Sequence, residues 1–168
     1  LRTQDIAGLL TSFLVIGTLF AMLTATDPAW WERSFSDLGI GAGGWAFNGT
    51  AVIAGLLIAT TGSSLGRALH RMLGDPALPR IAAIVLTWAG AGLALAAVGL
   101  LPLDRVRIAH AIAAFSTLGL IVAATVLTTL LLREVVMLRV LTIVLVGLIV
   151  VAAVVAVGSF GFAAINAK

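Results

Sequence analysis

Residues Ile6 to Ala25, IAGLLTSFLVIGTLFAMLTA, form an uncharged run in which only Gly, Ser and Thr interrupt the apolar side chains. An α-helix needs about 20 consecutive apolar residues to cross the hydrocarbon core of a bilayer. This run therefore predicts a membrane-spanning helix. The sequence Thr26-Asp27-Pro28 follows it, and proline cannot continue a helix.

The rest of the chain has the same apolar character. Of its 168 residues, 61% are hydrophobic and 10% are charged, and the mean hydropathy is +1.20. A soluble domain carries roughly 25% charged residues. Because so few polar side chains cannot cover a water-exposed surface, the composition indicates an integral membrane protein. The sequence has no cysteine, which excludes disulfides, thiolate catalysis and cysteine-ligated metal sites.

Four further apolar runs predict four more spanning helices. We therefore expect an all-α, polytopic membrane helical bundle with five transmembrane helices, organised as a single domain over residues 1–168. The expected helices cover about 6–25, 46–65, 81–101, 108–132 and 140–160. Gly62 and Gly66 have the small-xxx-small spacing that permits close helix packing. The most basic connection is the predicted loop from Arg67 to Arg80.

The basic residues predict the orientation in the cell membrane, because five crossings place the two termini on opposite faces. With the N-terminus inside, the cytoplasmic basic residues are Arg2, Arg67, Arg71, Arg80, Arg133 and Arg139. The outer ones are Arg33, Arg105, Arg107 and Lys168. This bias favours a cytoplasmic N-terminus. The basic residues are scattered singly between apolar runs, so nucleic acid is not an expected partner.

The stretch from Trp30 to Trp45 is the most distinctive connection. We expect Trp30, Trp31 and Trp45 to be interfacial anchors, since an indole can bury its ring and keep its N–H in water. Within this stretch, Ser36-Asp37-Leu38-Gly39 has two open interpretations. It could form the floor of a polar pocket, or it could order a tight turn or cap a short interfacial helix.

His110 and Asp104 form the second polar feature of the same predicted outer face. An imidazole beside a carboxylate suits proton transfer, but a spacing of six residues does not place the two on one helical face. His110 could instead bond loop carbonyls or reach Asp37, bind a lipid headgroup, or act in catalysis. Asn48 could point toward this site or form an interhelical hydrogen bond. The candidate outer-face polar or lipid-headgroup site comprises Ser36, Asp37, Gly39, Asn48, Asp104 and His110.

No metal or cofactor is expected. The other histidine, His70, lies in the predicted basic loop on the opposite membrane face, so it cannot share an ion with His110. The sequence also has no P-loop, and no helix carries repeated carboxylates or a ladder of basic residues.

The order of the motifs resembles the bacterial membrane family catalogued as domain of unknown function 998. The resemblance is carried by Ser36-Asp37-Leu38-Gly39, Asn48, Gly55, Pro102-x-Asp104 and His110, and it covers about Ile6 to Leu132. A more distant similarity is to the eukaryotic Frag1-type lipid-remodelling membrane proteins. The resemblance implies a polytopic helical bundle with no settled activity. Family members often have a sixth helix after a polar Gly-containing motif, whereas this sequence ends at Asn166-Ala167-Lys168, so a partner helix could fill the sixth place.

These features favour a non-catalytic integral membrane protein, an accessory or structural subunit of a larger membrane complex. The small size, the sparse polar groups within the membrane and the small-residue helix faces support this expectation. The alternative is a lipid-binding or lipid-modifying protein that uses the outer-face polar site. The sequence does not decide whether the protein is an enzyme, and it favours one that is not. The expected partners are membrane lipids and other membrane protein subunits.

Overall fold

The computed structural model describes residues 3–32 and 34–166, with side chains described for residues 4–32 and 34–151. Within these ranges it contains five α-helices and no strand. The helices are α1 (Thr3–Leu23), α2 (Gly44–Leu73), α3 (Leu78–Leu100), α4 (Arg107–Leu131) and α5 (Val136–Asn166). The first four are long and apolar enough to cross a membrane, and the side-chain-described part of α5 is a shorter apolar stretch. The prediction of an all-helical membrane protein with five helices is confirmed.

Helix α2 is longer than its apolar run. It ends at Leu73 instead of near residue 65, so the first half of the predicted basic loop is helical. His70 and Arg71 lie in its last turn, where a cation interacts favourably with the helix dipole. Gly74 ends the helix at φ 70°, and its N–H donates to the carbonyl of His70 at 2.9 Å. Arg2, Arg33 and Lys168, which enter the charge count, lie outside the described residues.

The connection between α2 and α3 is therefore short. A 3-10 turn covers Asp75–Ala77, and α3 follows at once with Pro79 in its first turn, where proline removes no helical hydrogen bond. His70 Nε2 lies 3.6 Å from Asp75 Oδ1 across this exposed corner, so the two form an ion pair when the imidazole is protonated. The connection is too short for anything but an antiparallel arrangement of α2 and α3.

The chain forms two compact units, residues 1–124 and residues 125–168. In the first unit, α2 packs against both α1 and α3. Glycines make the contact with α3 close, because a Cβ atom at Gly55 would overlap the backbone of Gly92, and one at Gly99 would overlap the carbonyl of Asn48. Small residues of this kind let two helix backbones approach each other inside a membrane.

Gly62 and Gly66 both face α3. A Cβ atom at Gly62 would overlap the side chain of Trp88, and one at Gly66 would overlap Val85. The two glycines therefore lie in the α2–α3 contact. Large apolar side chains that point outward, such as Leu23, Leu86 and Ile108, suit the hydrocarbon of a bilayer.

The second unit contains the end of α4 and the start of α5. Thr129 and Thr142 are buried, and their hydroxyl oxygens lie 2.6 Å apart. Each hydroxyl also lies 2.9 Å from the carbonyl four residues earlier in its own helix, at Thr125 and Leu138. At 2.6 Å one hydroxyl donates to the other, and the accepting hydroxyl donates its own proton to its helix carbonyl. The two helices are thus joined by a hydrogen bond within apolar surroundings.

Candidate functional site

The connection between α1 and α2 is an ordered structure of two short 3-10 helices, Trp30–Glu32 and Phe35–Gly39. Asp27 Oδ1 accepts the N–H of Ala29 at 2.9 Å, which fixes the turn before the first of them. Ser34 precedes the second, and its hydroxyl donates to Asp37 Oδ1 at 3.3 Å. Asp37 thus takes part in ordering the turn, which is one of the two interpretations that its sequence context allows.

Thr26 ties the far end of this connection back to the end of α1. Its hydroxyl donates to the carbonyl of Ile40 at 3.3 Å and accepts the N–H of Gly43 at 3.0 Å. Gly41 lies between these two contacts with φ 72°, a conformation that favours glycine. Hydrogen bonds fix this connection at both of its ends, and they hold its side chains against the helices.

Aromatic rings join the connection to α2. Phe35 packs edge-on against Trp30 at 6.1 Å and against Phe47 at 5.4 Å between ring centroids. Trp31 and Trp45 are 64% and 65% exposed. Their position at the membrane interface stays a prediction. Trp30 is half-buried and also supports the ring of Phe35.

Asn48 holds the second 3-10 helix against the first turns of α2. Its Nδ2 donates to the carbonyl of Gly39 at 3.0 Å. A Cβ atom at position 39 would lie only 2.6 Å from Asn48 Oδ1, so this approach requires glycine. Oδ1 itself is buried, and within the part of the chain that the structure describes it has no hydrogen-bond partner. Gly39 and Asn48 of the predicted site are therefore in contact.

His110 is the most buried ionisable side chain of the predicted site, with 3% exposure. Its Nδ1 lies 2.7 Å from the carbonyl of Leu101, and its Nε2 lies 3.1 Å from the hydroxyl of Ser36. A carbonyl can only accept, so Nδ1 carries the proton. In the neutral ring Nε2 is then an acceptor, and the hydroxyl of Ser36 donates to it.

The structure thus joins Ser36 to His110 and Gly39 to Asn48. It does not join Asp104 to His110, because Asp104 is exposed in the turn between α3 and α4 while both ring nitrogens of His110 bond to other groups. The histidine bonds a loop carbonyl, one of the alternatives left open by the sequence, and its second partner is the serine beside Asp37.

Ser36 lies in the wall of a cavity of about 230 Å³ that is formed among the helices of the first unit. Most of its wall is apolar. Its lining residues are Leu14, Thr18, Phe35, Ser36, Phe47, Thr50, Ala51, Leu95, Val98, Ala114 and Thr117. Helices α1, α2, α3 and α4 all contribute to it, together with the second 3-10 helix.

Two of the three threonines of this wall use their hydroxyl protons within their own helices. The hydroxyl of Thr50 donates to the carbonyl of Ala46 at 2.7 Å, and that of Thr117 donates to the carbonyl of Ala113 at 2.9 Å. Because these donors are satisfied within their own helices, the cavity is suited to an apolar ligand.

Sequence patterns missed most of the cavity wall. One signal for it exists on α4, where His110, Ala114 and Thr117 have the i, i+4, i+7 spacing of one helical face. Leu101 could not be found in this way, because it contributes a backbone carbonyl. Among the described residues, no three His, Asp or Glu side chains lie close enough together to hold a metal ion.

The fold and the site define a multi-pass helical membrane protein in which a half-buried serine in the wall of an apolar cavity bonds to a buried histidine. The chain belongs to the family described as "Protein of unknown function (DUF998)", whose model matches residues 6–166. No curated protein and no solved structure matches the chain. The distant similarity to Frag1-type proteins stays an expectation.

Proposed function

We propose that this protein binds a fatty acyl chain of a membrane lipid in the cavity whose wall includes Ser36. The observation that carries the proposal is the apolar wall, to which four membrane helices contribute. Apolar cavities are poor sites for water, which needs two to four polar partners, and they accept hydrocarbon ligands. In a bilayer the most abundant hydrocarbon is the acyl chain.

The dimensions of the cavity support a slender ligand. Its volume of about 230 Å³ is below the roughly 300–1,000 Å³ of sites for compact small molecules. A cavity of this volume can hold part of an acyl chain, whereas a whole drug-sized molecule exceeds it. Leu14, Leu95 and Val98 provide branched side chains along this path.

The polar end of the cavity supports binding of the ester or carboxyl end of the same ligand. Ser36 is the polar group of the connecting segment at the wall, and its oxygen can still accept a hydrogen bond while its proton is directed at His110. On the orientation predicted from the basic residues, this end faces the outer leaflet. A lipid with its carbonyl group at Ser36 and its chain against Leu14, Leu95 and Val98 would match the polarity of the wall.

The accessory-subunit role stays a prediction. An exposed apolar helix face is suited equally to lipid and to another membrane helix, and no contact within the described residues favours the second. Lipid binding, in contrast, is supported by a specific cavity.

Photocrosslinking tests the proposal. The full chain in lipid nanodiscs is exposed to a phospholipid, or separately to a free fatty acid, that carries a diazirine in its acyl chain. We expect crosslinks to cavity residues such as Leu14 and Leu95, and the two probes distinguish an esterified chain from a free one.

A pair of matched variants controls for nonspecific crosslinking. Ala114→Phe places a ring in the cavity, and Ala82→Phe places the same ring on an exposed face of α3. Crosslinks to cavity residues should be lost in Ala114→Phe and retained in Ala82→Phe. Crosslinks confined to outward-facing residues in the unmodified chain would rule out the proposal.

A further inference from the structure

We infer that Ser36 is a nucleophile and His110 its general base, for acyl transfer from a lipid carboxylic ester whose chain occupies the cavity. The inference rests on the proposed lipid binding and deepens it by naming the substrate class. It follows from the geometry of the two side chains, their surroundings and their position beside the cavity.

The serine and the histidine have the contact that activates a hydroxyl nucleophile. Their Oγ–Nε2 distance of 3.1 Å lies within the 2.6–3.2 Å that proton transfer between a nucleophile and its base requires. Ser36 also belongs to the cavity wall, so a carbonyl carbon at that end of the cavity would lie next to its oxygen. His110 is 3% exposed and approaches Ser36 from α4.

The histidine is oriented by a third group, as a catalytic base must be. The Nδ1–H of His110 donates to the carbonyl of Leu101 at 2.7 Å, which fixes both the tautomer and the plane of the ring. Leu101 follows the last residue of α3, and its own N–H donates to the carbonyl of Ala97 at 2.9 Å. A backbone carbonyl held by a helix end thus takes the orienting position that a carboxylate occupies in a serine–histidine–aspartate triad.

The reaction balances with water as the second substrate. The oxygen of Ser36 attacks the ester carbonyl carbon, and its proton passes to Nε2 of His110. When the carbon–oxygen bond to the lipid alcohol breaks, the leaving oxygen takes that proton and the acyl group stays on Ser36. Water then attacks the acyl-serine and gives its proton to Nε2, which returns it to Ser36 as the fatty acid leaves.

A purely structural role for the same hydrogen bond predicts a different reactivity of Ser36. If the bond only anchored the connecting segment to α4, Ser36 would be no more reactive than any other serine. The Ser34 hydroxyl is a matched comparison, because it lies two positions away, is exposed and bonds to Asp37.

The experiment treats the full chain in nanodiscs with a long-chain alkyl fluorophosphonate and locates the modified peptide by mass spectrometry. We expect modification of Ser36, none in Ser36→Ala, and unchanged modification in Ser34→Ala. His110→Asn keeps a donor near Leu101 and removes the base, so it should slow the modification by about 100-fold or more. Size-exclusion profiles confirm that each variant is folded.

Two outcomes separate this inference from the proposed function. If acyl-chain photocrosslinks appear in the cavity but Ser36 of the unmodified chain stays unreactive, the nucleophile assignment is wrong and lipid binding stands. If no acyl-chain crosslink appears in the cavity, both the proposed lipid binding and the nucleophile assignment are wrong, since the substrate would then have no binding site. If Ser36 reacted equally fast in the original sequence and in His110→Asn, the assignment would also be wrong, because His110 would not be acting as a base.

Discussion

The hydroxyl of Ser36 lies 3.1 Å from Nε2 of His110, although 74 positions separate the two residues in the chain. The bond links the connection between α1 and α2 to the first turns of α4. Because the same histidine bonds the carbonyl of Leu101 at the end of α3, a single side chain joins three parts of the first unit. Of the three residues at this junction, Ser36 also lines the cavity.

Loss of the histidine should destabilise this junction. His110→Ala leaves the Leu101 carbonyl without its donor, and an unsatisfied buried group costs about 1–3 kcal/mol. His110→Asn should cost less, since its amide can still donate to that carbonyl. Thermal unfolding of the two variants in the same detergent compares them. An unfolding temperature for His110→Ala equal to that of the unmodified chain would contradict the described bonding.

The α2–α3 contact should not tolerate a methyl group at Gly55. A Cβ atom there would lie 2.6 Å from the nitrogen of Ala96 and would also overlap the Gly92 carbonyl, so Gly55→Ala should cost roughly 1–3 kcal/mol of stability. Gly49→Ala is the control on the same helix, because no atom lies within 4 Å of a Cβ atom there. We expect Gly49→Ala to be neutral or stabilising by up to about 1 kcal/mol, as measured by unfolding in detergent.

Trp88 should act through its ring and not through its indole N–H. Nε1 is buried and lacks a hydrogen-bond partner among the described residues, whereas the start of its side chain packs on Gly62. Trp88→Phe should therefore change stability by less than about 1 kcal/mol, since it removes an unsatisfied donor. Trp88→Ala should cost several times more because it empties the space above Gly62. Similar losses in the two variants would show that the N–H has a partner.

The threonine contact between α4 and α5 can be measured by a double-mutant cycle. Thr129→Val and Thr142→Val each remove one hydroxyl of the 2.6 Å contact. Interhelical hydrogen bonds of this kind in a membrane protein average about 0.6 kcal/mol of coupling. The double variant should therefore lose less stability than the sum of the two single losses. Strict additivity would mean that the two hydroxyls do not interact.

The fold could be predicted largely from apolar length. Runs near 20 residues identified all five helices, because the bilayer imposes a minimum span and water cannot solvate such surfaces. The end of α2 was predicted too early because the prediction followed the apolar run, and the helix extends beyond it. Arg67 and Arg71 interrupt the apolar run but not the helix, which continues to Leu73 before Gly74 ends it. Of the two, Arg71 lies in the last turn, where a basic side chain is favourable.

The site could be predicted only in part. Ser36, Asn48 and His110 are scarce polar groups near membrane helices, and Gly39 belongs to the predicted tight turn. The structure joins these four residues in two hydrogen-bonded pairs. Which residue pairs with which depends on how the connecting segment folds back over the helices. Asp104 and a loop carbonyl are both candidate partners of His110 in the sequence, and the short turn after α3 presents a backbone carbonyl to the ring.

Occupation of the cavity by an acyl chain is the central claim, and nuclear Overhauser effects measure it most directly. The full chain, with protonated alanine methyl groups in a deuterated background, is reconstituted in nanodiscs of protonated lipid. We predict cross-peaks from acyl-chain methylene protons to the methyls of Ala51 and Ala114, which line the cavity. Cross-peaks that reach only outward-facing methyls such as Ala82, with none to Ala51 or Ala114, would contradict the claim.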